Sequence, residues 1–209
     1  MTRIQIIRTF LGGSLAVALA AAAPMPSARA QDRSPLALTT ARVTIDGMSN
    51  VHAYSASTTA VRVTRVKFAA GVAGPEFWDA LLTPGALEVF EISVAAGKLS
   101  SPKDGLDKNM HKALKVEQFP EITFRLLRLE PLAGRDVRAS GMLKIAGVER
   151  EIALDLTTQR KDGNLLVKGS VQLLMTDYGI TPPKAMLGML KTDPKVRVSF
   201  ETILGIPLT

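Results

Sequence analysis

The sequence has no cysteine, and its 209 residues include only two histidines, one tryptophan and two tyrosines. Without cysteine there is no disulfide, no thiolate nucleophile, no cysteine-bound metal and no lipid-modified N-terminal cysteine, so the fold rests on its hydrophobic core alone. The histidines, His52 and His111, form neither an HxH nor an HxxxH spacing, and a metal centre would need both of them plus carboxylates gathered by the fold. There is no GxSxG elbow and no glycine-rich phosphate loop at a strand-to-helix junction. Both histidines are therefore read as surface or rim residues, and no catalytic residue, metal ligand, cofactor or enzymatic activity is assigned. Aromatic residues make up 5% of the chain, and its lysines and arginines are dispersed among acids. A formal net charge of +7 does not then make a nucleic-acid interface, which needs a clustered basic face and rings to stack on bases.

Long apolar runs are also missing, with one exception. Phe10 to Ala23 is apolar, follows the basic residues Arg3 and Arg8, and precedes Ala28-Arg29-Ala30, the small-x-small pattern of a signal peptidase site. The run is short for a membrane span and is interrupted by Gly12-Gly13 and ended by Pro24. Residues 1–30 are expected to be a signal peptide, cleaved before Gln31, that sends the chain to the periplasm. The remaining 179 residues carry 23 basic and 19 acidic side chains, a net charge of +4. That length suits one domain with a substantial core, and the mild positive balance favours transient contact with an anionic membrane surface.

What the mature chain does contain is alternation. Leu38 to Ile45 sets Ala41, Val43 and Ile45 on one face and is expected to turn at Asp46-Gly47, a strong hairpin signal. Strand-like runs follow at Val51 to Ser57, Val61 to Phe68 and Leu87 to Leu99, with Gly71 to Pro84 read as a loop holding a short helical turn. Four more occupy Glu121 to Leu129, Val137 to Ala146, Glu149 to Thr158 and Leu165 to Thr176, and a last one alternates through Val196, Val198 and Phe200. One segment departs from this pattern. Leu106, Met110 and Leu114 recur at helical spacing before Phe119-Pro120 breaks the chain into the strand start Ile122-Thr123-Phe124. Short antiparallel strands with one wet and one dry face, plus one helical insertion, predict an all-β sandwich or barrel. The methionine-rich stretch Met186 to Leu190, with Met175, suits either core packing or a rim that accepts apolar ligands.

Four places together resemble the YceI-like family of exported, lipocalin-like, polyisoprenoid-binding proteins. They are Thr44 to His52, with its I-x-G-x-S-x-x-H run; Leu99 to Phe124, ending in Pro-x-Ile-x-Phe; the hairpin Gly141 to Ile152; and the aromatic-Gly-Ile step Asp177-Tyr178-Gly179-Ile180. The resemblance covers about Leu38 to Ile203. Where many members begin the middle block with Arg-Asp-x-His, this chain has Asp107-Lys108-Asn109-Met110-His111, so the contacts of that Arg–Asp pair are not carried over. The resemblance implies an antiparallel barrel of about eight strands, a helix and loops near one mouth, and a lipid chain inside.

On that footing the dry-face residues Phe90, Ile92, Val94, Phe124, Leu126, Ile152, Leu154, Leu156, Val198 and Phe200 are the candidate lipid-lining set. Met110, Leu114 and Phe119 would pack the helix and its corner against the mouth. The function expected is a carrier or sequestering protein for an isoprenoid quinone, a polyprenyl lipid or a fatty acyl derivative. The same alternation also suits a solid core, in which case the chain would be an envelope stress or interaction module with a protein partner. An exposed apolar patch around Trp78 and Met186 to Leu190 would favour that second reading. Expressed with its leader in a Gram-negative host, the chain is expected in the periplasmic fraction with an intact mass that starts at Gln31. A mass that retains residues 1–30 would contradict the cleavage.

Overall fold

The computed structural model describes residues 36–185 and 189–206. The expected signal peptide therefore lies outside the described residues, as do Met186 and Leu187 of the methionine-rich stretch. Ten strands follow in chain order: β1 (Ala37–Ser49), β2 (Ala53–Thr58), β3 (Val61–Phe68), β4 (Leu87–Ala95), β5 (Glu121–Pro131), β6 (Val137–Ile145), β7 (Val148–Lys161), β8 (Asn164–Leu174), the two-residue β9 (Lys184–Ala185) and β10 (Leu190–Gly205). Among the described residues two α-helices interrupt them, α1 (Phe77–Leu81) between β3 and β4 and α2 (Asp104–Leu114) between β4 and β5, with short 3-10 turns at Ala96–Lys98 and Met175–Tyr178.

Nine strands hydrogen-bond side by side in the order β2-β1-β10-β8-β7-β6-β5-β4-β3, every pairing antiparallel, and β9 pairs with β10 outside this path. The strands at the two ends of the path, β2 and β3, are consecutive in the chain and separated only by Thr59 and Ala60. The three Cα steps from Thr58 to Val61 span at most about 11 Å, so the sheet curls and brings its edges towards each other. Hydrogen bonds brace that corner: Ser57 N of β2 donates to Ser100 O (2.8 Å) and Ser100 N to Ser57 O (3.0 Å) in the segment beyond β4, while Ala95 N to Ala60 O (3.0 Å) extends the β3–β4 ladder. The all-β, antiparallel, lipocalin-like architecture anticipated from the sequence is the one observed, with one more strand in the path than the eight expected.

Curling gives each strand an inside and an outside. In β7, Ile152, Leu154 and Leu156 turn inward while Glu149, Glu151, Asp155 and Thr157 stay exposed. Outside, cross-strand ion pairs cover the backbone, as between Arg138 Nε and Asp155 Oδ1 at 2.6 Å. Three of them reach past an intervening strand, the longest joining Arg125 on β5 to Glu149 on β7 at 3.9 Å. Arg62 on β3 meets Glu121 on β5 at 2.9 Å across Ser93 of β4, and Arg128 on β5 meets Glu151 on β7 at 3.1 Å across Ser140 of β6. In these last two a small side chain in the middle strand lets the long ones pass, and both serines are 1% exposed beneath them.

The β6–β7 and β7–β8 hairpins turn on Ala146-Gly147 and Asp162-Gly163, where both residues of each pair have positive φ, as a two-residue type I′ turn requires. Asp46-Gly47 does not turn. Gly47 stays in β1, paired with Tyr54 of β2, and a Cβ there would collide with the Tyr54 ring. The glycine is a seat for that ring, and the chain reverses at residues 50–52, where Ser49 Oγ accepts from His52 N at 3.0 Å.

α2 starts at Asp104, ahead of its apolar stripe. Asp104 and Asp107 occupy its first turn and His111 and Lys112 its last, matching the helix dipole, and Asp107 also accepts from Ser101 N at 2.8 Å. Lys115 caps the helix in the left-handed conformation at φ 53°. At the other end of the barrel, α1 buries Phe77, Trp78 and Leu81 against Leu165, Val167 and Leu204. Trp78 is 2% exposed and its indole Nε1 donates to Gly163 O at 2.7 Å, so it is a seal and not part of an exposed patch. Trp78→Phe removes that donor and leaves the carbonyl unpaired, which is expected to destabilise by about 2 kcal/mol and lower Tm by roughly 6 °C. Thermal denaturation of the two proteins checks this; equal midpoints would mean that the indole hydrogen bond contributes nothing to closure.

Candidate functional site

The inward face does not fill the barrel. Two chambers remain, of about 190 Å³ near α2 and about 210 Å³ near α1. Six residues belong to both linings: Val43, Val94, Ile122, Leu143, Leu173 and Val198, one each from β1, β4, β5, β6, β8 and β10. The chambers therefore meet at an apolar waist. Along β10 the lining runs from Thr192 to Leu204. Twelve strand steps make about 40 Å, or roughly 30 Å along the barrel axis at a tilt of about 40°.

The upper chamber is roofed by Leu106, Asn109, Met110, Ala113 and Leu114, the face of α2 that recurs at 3.6-residue spacing. α2 is fastened there by His111, whose Nε2 donates to Leu99 O at 2.8 Å. Tyr178 and Ile180, which follow β8, complete the wall, and the chamber reaches the surface beside the exposed Asn109 and Leu174. No charged side chain stands in this lining among the described residues; its polar members are Tyr54, Asn109, Tyr178 and Thr192. Burial raises the phenol pKa of both tyrosines, with Asp193 adding to the effect at Tyr54 and Asp177 at Tyr178, so both remain protonated near neutrality. The lower chamber is hydrocarbon apart from Thr158, Thr202 and the exposed pair Arg42 and Glu201, partners across β1 and β10.

The rings that could block the lumen lie against its wall. Phe124 on β5 covers Gly141 on β6, and Phe200 on β10 covers Gly169 on β8, where a Cβ would fall 2.5 Å and 2.6 Å from the ring Cζ atoms. Glycine in a strand weakens it unless something needs the space, and here a neighbouring phenylalanine does.

Of the candidate lining residues, Phe90, Ile92, Phe124, Leu126, Ile152, Leu154, Leu156 and Phe200 line the lower chamber, Val94 and Val198 the waist, and Met110 and Leu114 the upper chamber. Phe119 lines neither: its ring rests on Gly147, where a Cβ would be 2.6 Å from Cζ, and it anchors the α2–β5 corner to the β6–β7 turn. His52 is exposed, and neither histidine is in a lining. The candidate set omitted Val43 and Ile45, whose alternation on β1 was plain, and Leu165, Val167, Val171 and Leu173 of β8. On β8 the outward Leu166 and the inward Gly169 blur the period. Tyr178 carried no signal at all beyond its place in the aromatic-Gly-Ile step.

A curled antiparallel sheet enclosing an apolar lumen, with a short helix at each end, defines a lipocalin-like barrel. The chain belongs to the YceI-like family, whose domain model matches residues 40–204. No curated protein matches it by sequence. Among solved structures, Burkholderia cenocepacia BcnA aligns at 12% identity and TM-score 0.60, covering 79% of this chain and 96% of its own. A polyisoprenoid-binding domain from Saccharophagus degradans, implicated in plant cell wall breakdown, aligns at 13% identity and TM-score 0.60, covering 83% and 99%. The Campylobacter jejuni YceI protein aligns at 14% and 0.53, covering 75% and 82%. At such identities the likeness is one of fold.

Gly169→Ala is expected to drive the Phe200 ring and Leu156 off the wall and into the lower chamber, destabilising by about 2 kcal/mol. Binding of a long apolar fluorophore should weaken with it, and adding Phe200→Leu should restore both Tm and binding. An alanine variant that binds and melts like the parent would show that the ring has room elsewhere.

Proposed function

We propose that the protein is a non-enzymatic periplasmic carrier, or sequestering protein, that holds the hydrocarbon chain of an amphiphilic lipid inside its barrel. The observation that carries this reading is the lumen: two apolar chambers joined at a waist, roughly 30 Å long by the strand geometry. The hydrocarbon core of a bilayer is also about 30 Å thick, so one leaflet offers a chain about half that depth. A lumen of twice the leaflet depth favours a long isoprenoid over an ordinary acyl tail. The polyisoprenoid-binding designation of the Saccharophagus relative supports the same class of ligand.

Retention needs no covalent bond. Each buried methylene contributes about 0.8 kcal/mol, so ten supply about 8 kcal/mol, the scale of a micromolar Kd before ordering costs. Export is supported by the leader-like residues 1–30, and loading from a membrane by the net charge of +4 on the remainder. An uncharged upper lining suits holding a lipid more than transforming it.

Purification from the periplasm of a membrane-containing host, followed by organic extraction and lipid mass spectrometry, is expected to give near-stoichiometric long-chain lipid, with isoprenoids foremost. A preparation that is reproducibly empty and leaves an added hydrophobic probe unshifted would remove the carrier reading.

A further inference from the structure

Exposed apolar side chains are not spread evenly over the barrel. Among the described residues the two most exposed large ones are Met189 at 69% and Val51 at 68%, and Met48 is 52% exposed. Asn50 brings these three to one corner. Its Nδ2 donates to Met189 O at 2.9 Å, Lys191 N donates to its Oδ1 at 2.8 Å, and its own N donates to Lys191 O at 3.0 Å. The β1–β2 turn is thereby held against the start of β10, next to Thr192 of the upper lining.

Positive charge gathers at the same end. Lys98, Lys103, Lys108, Lys112 and Lys115 are all exposed, with Asp104, Asp107 and Glu117 as the acids of that stretch. The helical period sets Lys108 and Lys112 on the face of α2 opposite its lining residues Leu106, Met110 and Ala113. Ion pairs among the described residues run along the strands or hold α1, where Asp79 meets Arg160 at 3.7 Å and Arg135 at 3.8 Å. None of them involves the five lysines.

We propose that the α2 end of the barrel is a docking face for an anionic lipid bilayer. Met48, Val51 and Met189 enter the interface, and the α2 lysines lie over the headgroups. Exposed hydrocarbon beside unpaired ammonium groups matches such a bilayer, which sets negative charge above an apolar layer. A second copy of this chain, docked face to face, would set lysine against lysine. The proposal rests on the carrier reading and adds to it which face meets the membrane. Both features border the upper chamber, so docking would bring its opening beside Asn109 and Leu174 to the bilayer.

The test uses the mature protein with sedimentable vesicles of phosphatidylcholine alone, or of equal parts phosphatidylcholine and phosphatidylglycerol. Binding is expected to favour the anionic vesicles and to weaken as salt is added. Each lysine near an anionic surface contributes roughly fivefold, so Lys108→Gln with Lys112→Gln should weaken binding about thirtyfold. Lys67→Gln with Lys168→Gln removes the same charge from the outer wall and should leave binding near the parent value. Thermal melts check that each variant is folded. Because the chain has no cysteine, Val51→Cys gives a unique site for an environment-sensitive dye. Anionic vesicles should shift its emission to the blue, while the same dye at Leu127→Cys, exposed on β5, should stay unchanged. Equal binding to both vesicle types, an equal loss from the wall pair, or an unchanged dye at residue 51 overturns the assignment. A dye there that answers to protein concentration and not to vesicles gives the corner to a second copy and also overturns it. Docking by a protein that never yields bound lipid removes the carrier reading and leaves the face, whereas lipid-loaded protein that ignores the vesicles removes only the face.

Discussion

Thr59 and Ala60 join the two strands that form opposite edges of the sheet, and the rest of the molecule depends on how short that join is. A nine-strand antiparallel meander could lie open, with two exposed edges ready to pair with other chains. Here the first edge, β2, runs straight into the last, β3, and the Ser57–Ser100 hydrogen bonds hold β2 against the segment that follows β4. Once the sheet is curled on itself, the period-two alternation of its strands becomes an inside and an outside. The lumen follows from connectivity before any side chain is chosen to fill it.

Side chains then decide whether that space is filled or left open. The large inward residues are mostly aliphatic, and the two phenylalanines nearest the middle lie over Gly141 and Gly169. Glycine there exchanges strand propensity for lumen width. Each end carries a different closure. α1 presses a tryptophan and a phenylalanine into the lower end, whereas α2 covers the upper end with one apolar stripe and a histidine tether to Leu99. Polar atoms in the lumen concentrate at the α2 end, which gives an otherwise uniform hydrocarbon space a direction.

Much of this was legible in the sequence, and the reasons are local. Glu149 to Thr158 alternates so cleanly that its inward residues could be named, and the 3.6-residue spacing of Leu106, Met110 and Leu114 marked the one helix above the lumen. What stayed hidden depends on partners far away in the chain. Gly47 reads as a turn because Asp-Gly pairs usually turn; only the ring of Tyr54 across the ladder explains why this one does not. Phe119 has the spacing of a lining residue yet is claimed by Gly147. Trp78, alone in a loop-like segment, looks exposed until Gly163, 85 residues later, supplies its acceptor.

The two helices are fastened over unequal reaches of chain. Trp78 ties α1 to Gly163, 85 residues further on, whereas His111 ties α2 to Leu99, only 12 residues back. Detaching α1 therefore breaks a contact between distant parts of the sheet and uncovers an indole, while detaching α2 breaks a local one. The barrel is for that reason stiffer at one mouth than at the other.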